Sequence, residues 1–376
     1  MDSVEPAADE VRGAVQPHAP PVAYPDLPAV EGAVGPEPED FQVDEVPLYA
    51  ASGKGEHQYL QVRKRLLTTP ELVRRIGRAC GVNERDIGYA GLKDKHALTT
   101  QWLSLLSKTA ISPSLELGPG VEILAVTRHD NKLRTGHLLG NRFTLTLLGV
   151  AEDALQRATT IATRLRDDGL PNYFGAQRFG RDGRNVGDAL AFLARGGRSR
   201  NRFEQKLLPS VLQSELFNRY LSARLALGRH QLIAGEVVRL EGAGAMFRVD
   251  DVEREQPRLT ARDLHLTGPM VGPKMRPAAA EALALEQQLC RELGLNEQAL
   301  EALGRHAPGT RRDLFAPLGD LSVEAVTGRG APALRLAFTL PAGGYATEVI
   351  RQLTHGPFLQ QAAIASSGDS DSTPAD

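Results

Sequence analysis

The chain has 376 residues, 41% of them hydrophobic, and a formal net charge of −2 at pH 7. Length and apolar content suffice for one large folded unit or two of ordinary size, and with no run of about 18 apolar residues a membrane-spanning helix is not expected. Its two cysteines, Cys80 and Cys290, offer neither a CxxC pair nor a disulfide framework, which points to a reducing cytoplasm.

The charge is unevenly spread. Residues 1–45 hold eleven acids and one arginine, a net −10; residues 361–376 add −3; the rest of the chain is left with +11. A basic body between acidic ends suits a polyanionic partner such as RNA or DNA; the plainer reading is lysine and arginine scattered over the surface. The N-terminus MDSVEPAADE lacks the apolar run of a secretory signal and the arginines of a transit peptide.

Residues 1–33 are rich in Ala, Pro and acids, residues 361–376 in Ser, Asp and Ala, and both read as disordered tails. Phe41, Val43 and Val46 begin an extended segment, and Tyr59 to Lys64 (YLQVRK) alternate as a half-buried strand. TTPELVRRIGRACG reads as a helix. Thr69 caps it, Pro70 fits the first turn, Leu72, Val73, Ile76 and Ala79 form the apolar stripe, and Gly81 stops it. Strands follow at Ile87 to Ala90 and Thr100 to Leu106, joined by the loop LKDKHAL, and another at Asn141 to Val150. Helices are expected from Asp153 to Asp167, from Ser210 to Leu227 and over AAAEALALEQQLCREL, with a Gly-rich, strand-like stretch at about 235–275. Near the end ALRLAFTL alternates as a strand, LPAGGY turns, and ATEVIRQL is a helix. No repeat of about 20 to 50 residues occurs, and strands and helices mix without a βαβ rhythm, so the expected class is α+β.

Several chemistries lack their motifs. GKGEHQ is no phosphate-binding GxxxxGK[ST] loop, LEGAGAMF lacks the third glycine of a dinucleotide site, and no HExxH, Cys/His cluster or GxSxG is present. What remains is chemistry by ordinary side chains. Asp94, between Lys93 and Lys95 with His96 next, is the candidate carboxylate. Two lysines favour its ionised form, and an ionised carboxylate can act as nucleophile or base; the plain alternative is a solvated turn. In PNYFGAQRFG, aromatics interleave with Gln177 and Arg178, which suits RNA bases and phosphates or, equally, a glycine-hinged core turn. Asn141 can read a base edge or end a turn, and Tyr345 can stack on a base or fill a core.

Five segments occur together in one order: PEDF (38–41), GYAGLKDKHALTTQW (88–102), GNRFTL (140–145), PNYFGAQRFG (171–180) and LPAGGYATEVIRQL (340–353). On these the chain resembles the tRNA pseudouridine synthase D (TruD) family over about residues 36 to 355. The resemblance implies a pseudouridine-synthase core at 34–168 and 320–360, with a mixed, largely antiparallel sheet flanked by helices. An α/β TRUD domain would be inserted at 169–319. It implies an isomerase that converts a tRNA uridine, uridine 13 in bacterial members, to pseudouridine without metal or cofactor. The expected partner is tRNA and no membrane, and the expected state is a monomer. By the same resemblance Asp94 is catalytic, and Phe41, Asn141, Phe143 and Tyr345 contact substrate. Lys93, Lys95, His96 and Arg178 stand as charge partners of the aspartate or RNA contacts. The competing reading is an RNA-binding or RNA-folding protein on the same scaffold; a carboxylate glycosidase would need a second acid near Asp94. One departure is plain. Where the family commonly carries a cation before PEDF, this chain has Gly35-Pro36-Glu37, which leaves Lys93, Lys95 or Lys54 to hold the aspartate.

Overall fold

The computed structural model describes residues 15–107 and 109–357. Its strands, in chain order, are β1 Ala33–Val34, β2 Phe41–Pro47, β3 His57–Arg65, β4 Gly88–Tyr89, β5 Leu98–Leu106, β6 Val121–His129, β7 Leu138–Leu148, β8 Leu170–Pro171, β9 Val237–Leu240, β10 Met246–Arg248, β11 Leu264–Met270, β12 Thr310–Asp313, β13 Phe315–Ala316, β14 Gly319–Gly328 and β15 Ala331–Pro341. The helices are α1 Thr69–Cys80, α2 Ala154–Asp168, α3 Arg184–Ala194, α4 Arg202–Leu227, α5 Val252–Thr260, α6 Ala280–Glu292, α7 Glu297–Gly304 and α8 Ala346–Thr354. The class is α+β. No helix among the described residues is long and apolar enough to cross a membrane.

The chain divides into two compact units. One comprises Asp26–Asp167, Pro317–Ala346 and Ile350–Asp376; the other comprises Met1–Pro25, Asp168–Ala316 and Thr347–Val349. The first is built on a nine-stranded sheet in the order β14-β15-β7-β2-β5-β3-β6, with β1 beside β7 and β4 beside β5. Among the described residues, only the β2–β5 pairing of this sheet is parallel. Helix α1 covers one face. Leu72, Val73 and Ile76 pack with Leu60, Val62, Leu103, Leu105 and Ile123, and each such buried side chain contributes about 1.5–3 kcal/mol. Gly81, with φ 66°, ends α1 as expected, but the cap is Thr68, whose Oγ1 accepts from the Glu71 amide at 3.3 Å. Thr69 is therefore released for another task. Gly140 marks a close approach of β7 to β15: a Cβ there would lie 2.2 Å from the Leu340 carbonyl oxygen.

The second unit holds a four-stranded sheet, β10-β9-β11-β12, and the small β13–β8 pair. Helix α4 begins at Asn201, whose Oδ1 accepts from the Phe203 amide at 2.9 Å, and runs through Pro209. The helix proper, from Arg202, thus begins eight residues before the expected Ser210 and accommodates Pro209 in its interior. The stretch read as strand-like between 235 and 275 also contains α5, capped by Asp251. Two arginine–carboxylate pairs are buried here, Arg224 with Glu236 at 2.8 Å and Arg311 with Glu286 at 2.6 Å.

Residues 15–33 differ from the disordered tail expected over 1–33. In the second unit the His18 amide donates to Glu215 at 3.0 Å and Tyr24 donates to Asp168 at 2.5 Å; in the first, the Val30 amide donates to the Leu353 carbonyl at 2.8 Å. Residues 1–14 and the C-terminal tail 361–376 lie outside the described residues.

Candidate active site

The site is laid out by strand register. Lys64 on β3 sits opposite Thr99 on β5, Thr99 opposite Val43 on β2, Val43 opposite Phe143 on β7, and Phe143 opposite Phe338 on β15. Paired residues project on one face, so these five side chains form a single row across the sheet. The next row contains Glu45, Asn141 and Leu340. Phe143 stacks on Phe338 at 5.5 Å and faces Phe41 at 6.4 Å; Phe41 and Phe143 are both buried, forming an aromatic wall.

The loop carrying Asp94 enters β5 beside β2. Asp94, Lys95 and His96 are exposed, but Lys93 is buried. Three contacts pin the loop from beneath. The Lys93 amide donates to Thr69 Oγ1 at 3.0 Å, the hydroxyl that did not become the helix cap. Lys93 Nζ lies 2.7 Å from Glu45 Oε2, and Glu45 Oε1 accepts the Trp102 amide at 3.2 Å. Lys64 Nζ donates to the carbonyl oxygen of Asp94 at 2.9 Å. Lys93 is thus the partner of Glu45, while Lys64 is the cation set under Asp94.

Asn141, directly across from Glu45, is the residue most suggestive of a ligand. Its Oδ1 is buried and has no hydrogen-bond partner among the described residues. A buried polar atom left unmatched costs about 1–3 kcal/mol, and this oxygen is open to a donor. Leu92 and Leu139, each two residues before a site residue, are the most exposed large apolar side chains of this unit at 69% and 60%. Tyr345, half-buried, is the N-cap position of α8, four residues past the end of β15. A cavity of about 170 Å³ is lined by Glu45, Tyr49, Tyr59, Trp102, Leu133 and His137 among others.

Other residues singled out by the sequence lie elsewhere. Lys54 sits in the turn before β3, at the opposite end of that nine-residue strand from Lys64. Arg178 belongs to the second unit, where its Nε donates to Ser214 at 3.3 Å and its guanidinium lies 5.9 Å from the Phe174 ring centre. Around it the aromatics of PNYFGAQRFG are core residues: Tyr173, Phe174 and Phe179 are buried, and the Phe174 backbone bonds in both directions with the Asn218 amide. Before PEDF, Glu37 and Glu39 both pair with Arg65, at 3.1 and 2.8 Å, and Asp40 pairs with Arg329 at 2.9 Å.

A solved structure described as a putative tRNA pseudouridine synthase D from Methanosarcina mazei superposes with a TM-score of 0.70, covering 93% of this chain and 98% of that one at 21% identity. The two chains share a fold. The protein-family model described as tRNA pseudouridine synthase D (TruD) matches residues 23–191 and 203–353. A tRNA pseudouridine synthase D of Anaeromyxobacter dehalogenans is 44% identical over 88% of this chain and 94% of its own length. One from Thermus thermophilus is 38% identical over 87% and 90%. The chain belongs to the TruD family, and it is an isomerase of the pseudouridine synthase class.

An expected result follows from the orphaned amide. Asn141→Ala removes no bond to the Oδ1 atom within the described residues, so unfolding in urea should stay within about 1 kcal/mol of wild type while kcat/KM falls about 10²-fold. A parallel loss of stability and rate would show that the amide serves the fold instead.

Proposed function

We propose that the protein converts a uridine of tRNA to pseudouridine, at position 13 as the family resemblance implies, with Asp94 as the catalytic carboxylate. The observation that carries this reading is the placement of Asp94: exposed at its own side chain, yet held from below through Lys93, Thr69 and Lys64. A carboxylate kept rigid but open suits a group that must meet a nucleotide brought to it.

The target uridine leaves its stack, and aromatic and apolar groups at the rim replace part of what it loses. Asp94 takes part in breaking the C1′–N1 bond, as a nucleophile or as a base toward a sugar proton. The uracil turns so that C5 faces C1′, the C1′–C5 bond forms as the bond from Asp94 breaks or the sugar proton is returned, the C5 proton leaves, and N1 ends protonated. No atom is gained or lost. Asn141 holds an edge of the base, and Phe41, Phe143 and Tyr345 form the aromatic side of the pocket.

The experiment is incubation with unmodified tRNA transcripts followed by carbodiimide treatment and primer extension. A stop at uridine 13 is expected. A stop at another uridine would refute the position while keeping the chemistry; RNA binding with no stop at all would favour the binding-protein reading.

A further inference from the structure

Lys64 is fully buried, in the middle of the basic run Arg63-Lys64-Arg65. Its ammonium meets three backbone carbonyls: Leu67 at 2.6 Å, Asp94 at 2.9 Å and, more weakly, Lys93 at 3.5 Å. Three N–H donors are thus matched by three acceptors, and none of the three is a carboxylate. The two carboxylates in the neighbourhood are differently placed. Glu45 is taken by Lys93, and the Asp94 side chain is exposed. Lysines are almost never fully buried without a carboxylate partner, because carbonyl dipoles offset only part of the lost hydration. The position demands a reason, and its geometry supplies one. Leu67 lies in the turn leading to α1 and Asp94 in the loop before β5, so one ammonium joins the two segments, beside the bond from the Lys93 amide to Thr69.

We propose that Lys64 is the positioning residue of the active site: its buried ammonium clamps the Asp94 loop by backbone carbonyls and sets a positive charge beneath it. The inference rests on Asp94 being the catalytic carboxylate. Lys64 does not touch substrate; it acts through the loop.

The clamp has a built-in limit. Burial pushes the Lys64 ammonium down to about 8, the positive charge of Lys93 adds to this, and the Asp94 carboxylate opposes it. On the flanking strands Lys64 faces Thr99 and Val121, neither of which titrates in this range. Glu45 bears on it only through Lys93. As pH rises through about 8 the ammonium loses its charge and one of its three donors, and the loop is held less tightly. Stability moves the other way. The unfolded lysine titrates near about 10.4, so between these values the unfolded chain binds more protons and this group favours the folded state increasingly. An alkaline loss of rate from this source is therefore not unfolding.

The test is single-turnover conversion of a tRNA transcript between about pH 6.5 and 9.5 for wild type, Lys64→Met and Asp94→Asn, with tRNA Kd and circular dichroism followed in parallel. The wild-type rate should fall about tenfold through the alkaline limb while the protein stays folded. Lys64→Met should lose about 10²-fold in rate near neutrality, keep its tRNA Kd within about twofold, and show no alkaline limb. A Lys64→Met variant with the wild-type rate, or with the wild-type alkaline limb, overturns the clamp. If that variant does not fold, the wild-type profile decides, and a rate that stays level to the top of the pH range overturns it. Activity in Asp94→Asn instead removes the premise. An inactive Asp94→Asn beside a fully active Lys64→Met removes the clamp alone. No product from wild type removes the functional assignment and this inference with it.

Discussion

Asp94→Asn should leave the protein folded and able to bind tRNA while lowering pseudouridine formation by about 10⁴-fold or more. The amide keeps the size and shape of the carboxylate, so the loop is undisturbed; its contacts to Lys64 and Thr69 are made by the backbone of residues 93 and 94. What is lost is negative charge and basicity, and with them both the nucleophile and the proton acceptor. Because the side chain is exposed, the change in stability should stay within about 0.5 kcal/mol. Primer extension after carbodiimide treatment reads the product, and filter binding reads the complex. A variant that works within about tenfold of wild type would take the reaction away from Asp94 and turn attention to other polar groups of the rim.

Which parts of this site could be read from sequence follows from where their signals lie. Helix α1 carried its own punctuation in Pro70 and Gly81, and only its cap was misplaced, by one residue. Both Thr68 and Thr69 can cap; tertiary demand for a hydroxyl under Lys93 decided between them. Lys64 and Glu45 were hidden by their company. Arg63-Lys64-Arg65 looks like a solvated run, and Asp44-Glu45 like a polar strand end. Yet the two-residue period of a strand places Lys64 with Leu60 and Val62, and Glu45 with Phe41 and Val43, all facing the core. That signal was present and would have found both. No local signal existed for residues 15–33. Their Pro and Ala content resembles a tail, and they are ordered by partners such as Glu215, 197 residues away from His18. Composition cannot report contacts at that distance.

The buried pair Lys93–Glu45 should separate stability from catalysis. Its side chains are 4% and 1% exposed and 2.7 Å apart. Lys93→Met leaves Glu45 buried with only the Trp102 amide to satisfy it, and breaking such a pair from one side costs about 3–5 kcal/mol. Urea unfolding should show that loss. Adding Glu45→Leu removes the stranded charge, and apolar replacements of buried pairs are often neutral or stabilising, so the double variant should recover about 2 kcal/mol or more. Activity should not return with it. The side-chain tether from the Asp94 loop to the strand position opposite Asn141 is absent in both variants, and the rate should stay about 10²-fold down. Removing the positive charge of Lys93 also relieves one of the influences that hold Lys64 down, so any alkaline limb left in the double variant should move to higher pH. Full recovery of rate with stability would mean that the pair only supports the fold. Recovery of stability alone would mean that Glu45 and Lys93, although buried, act on the chemistry by fixing where Asp94 meets the base.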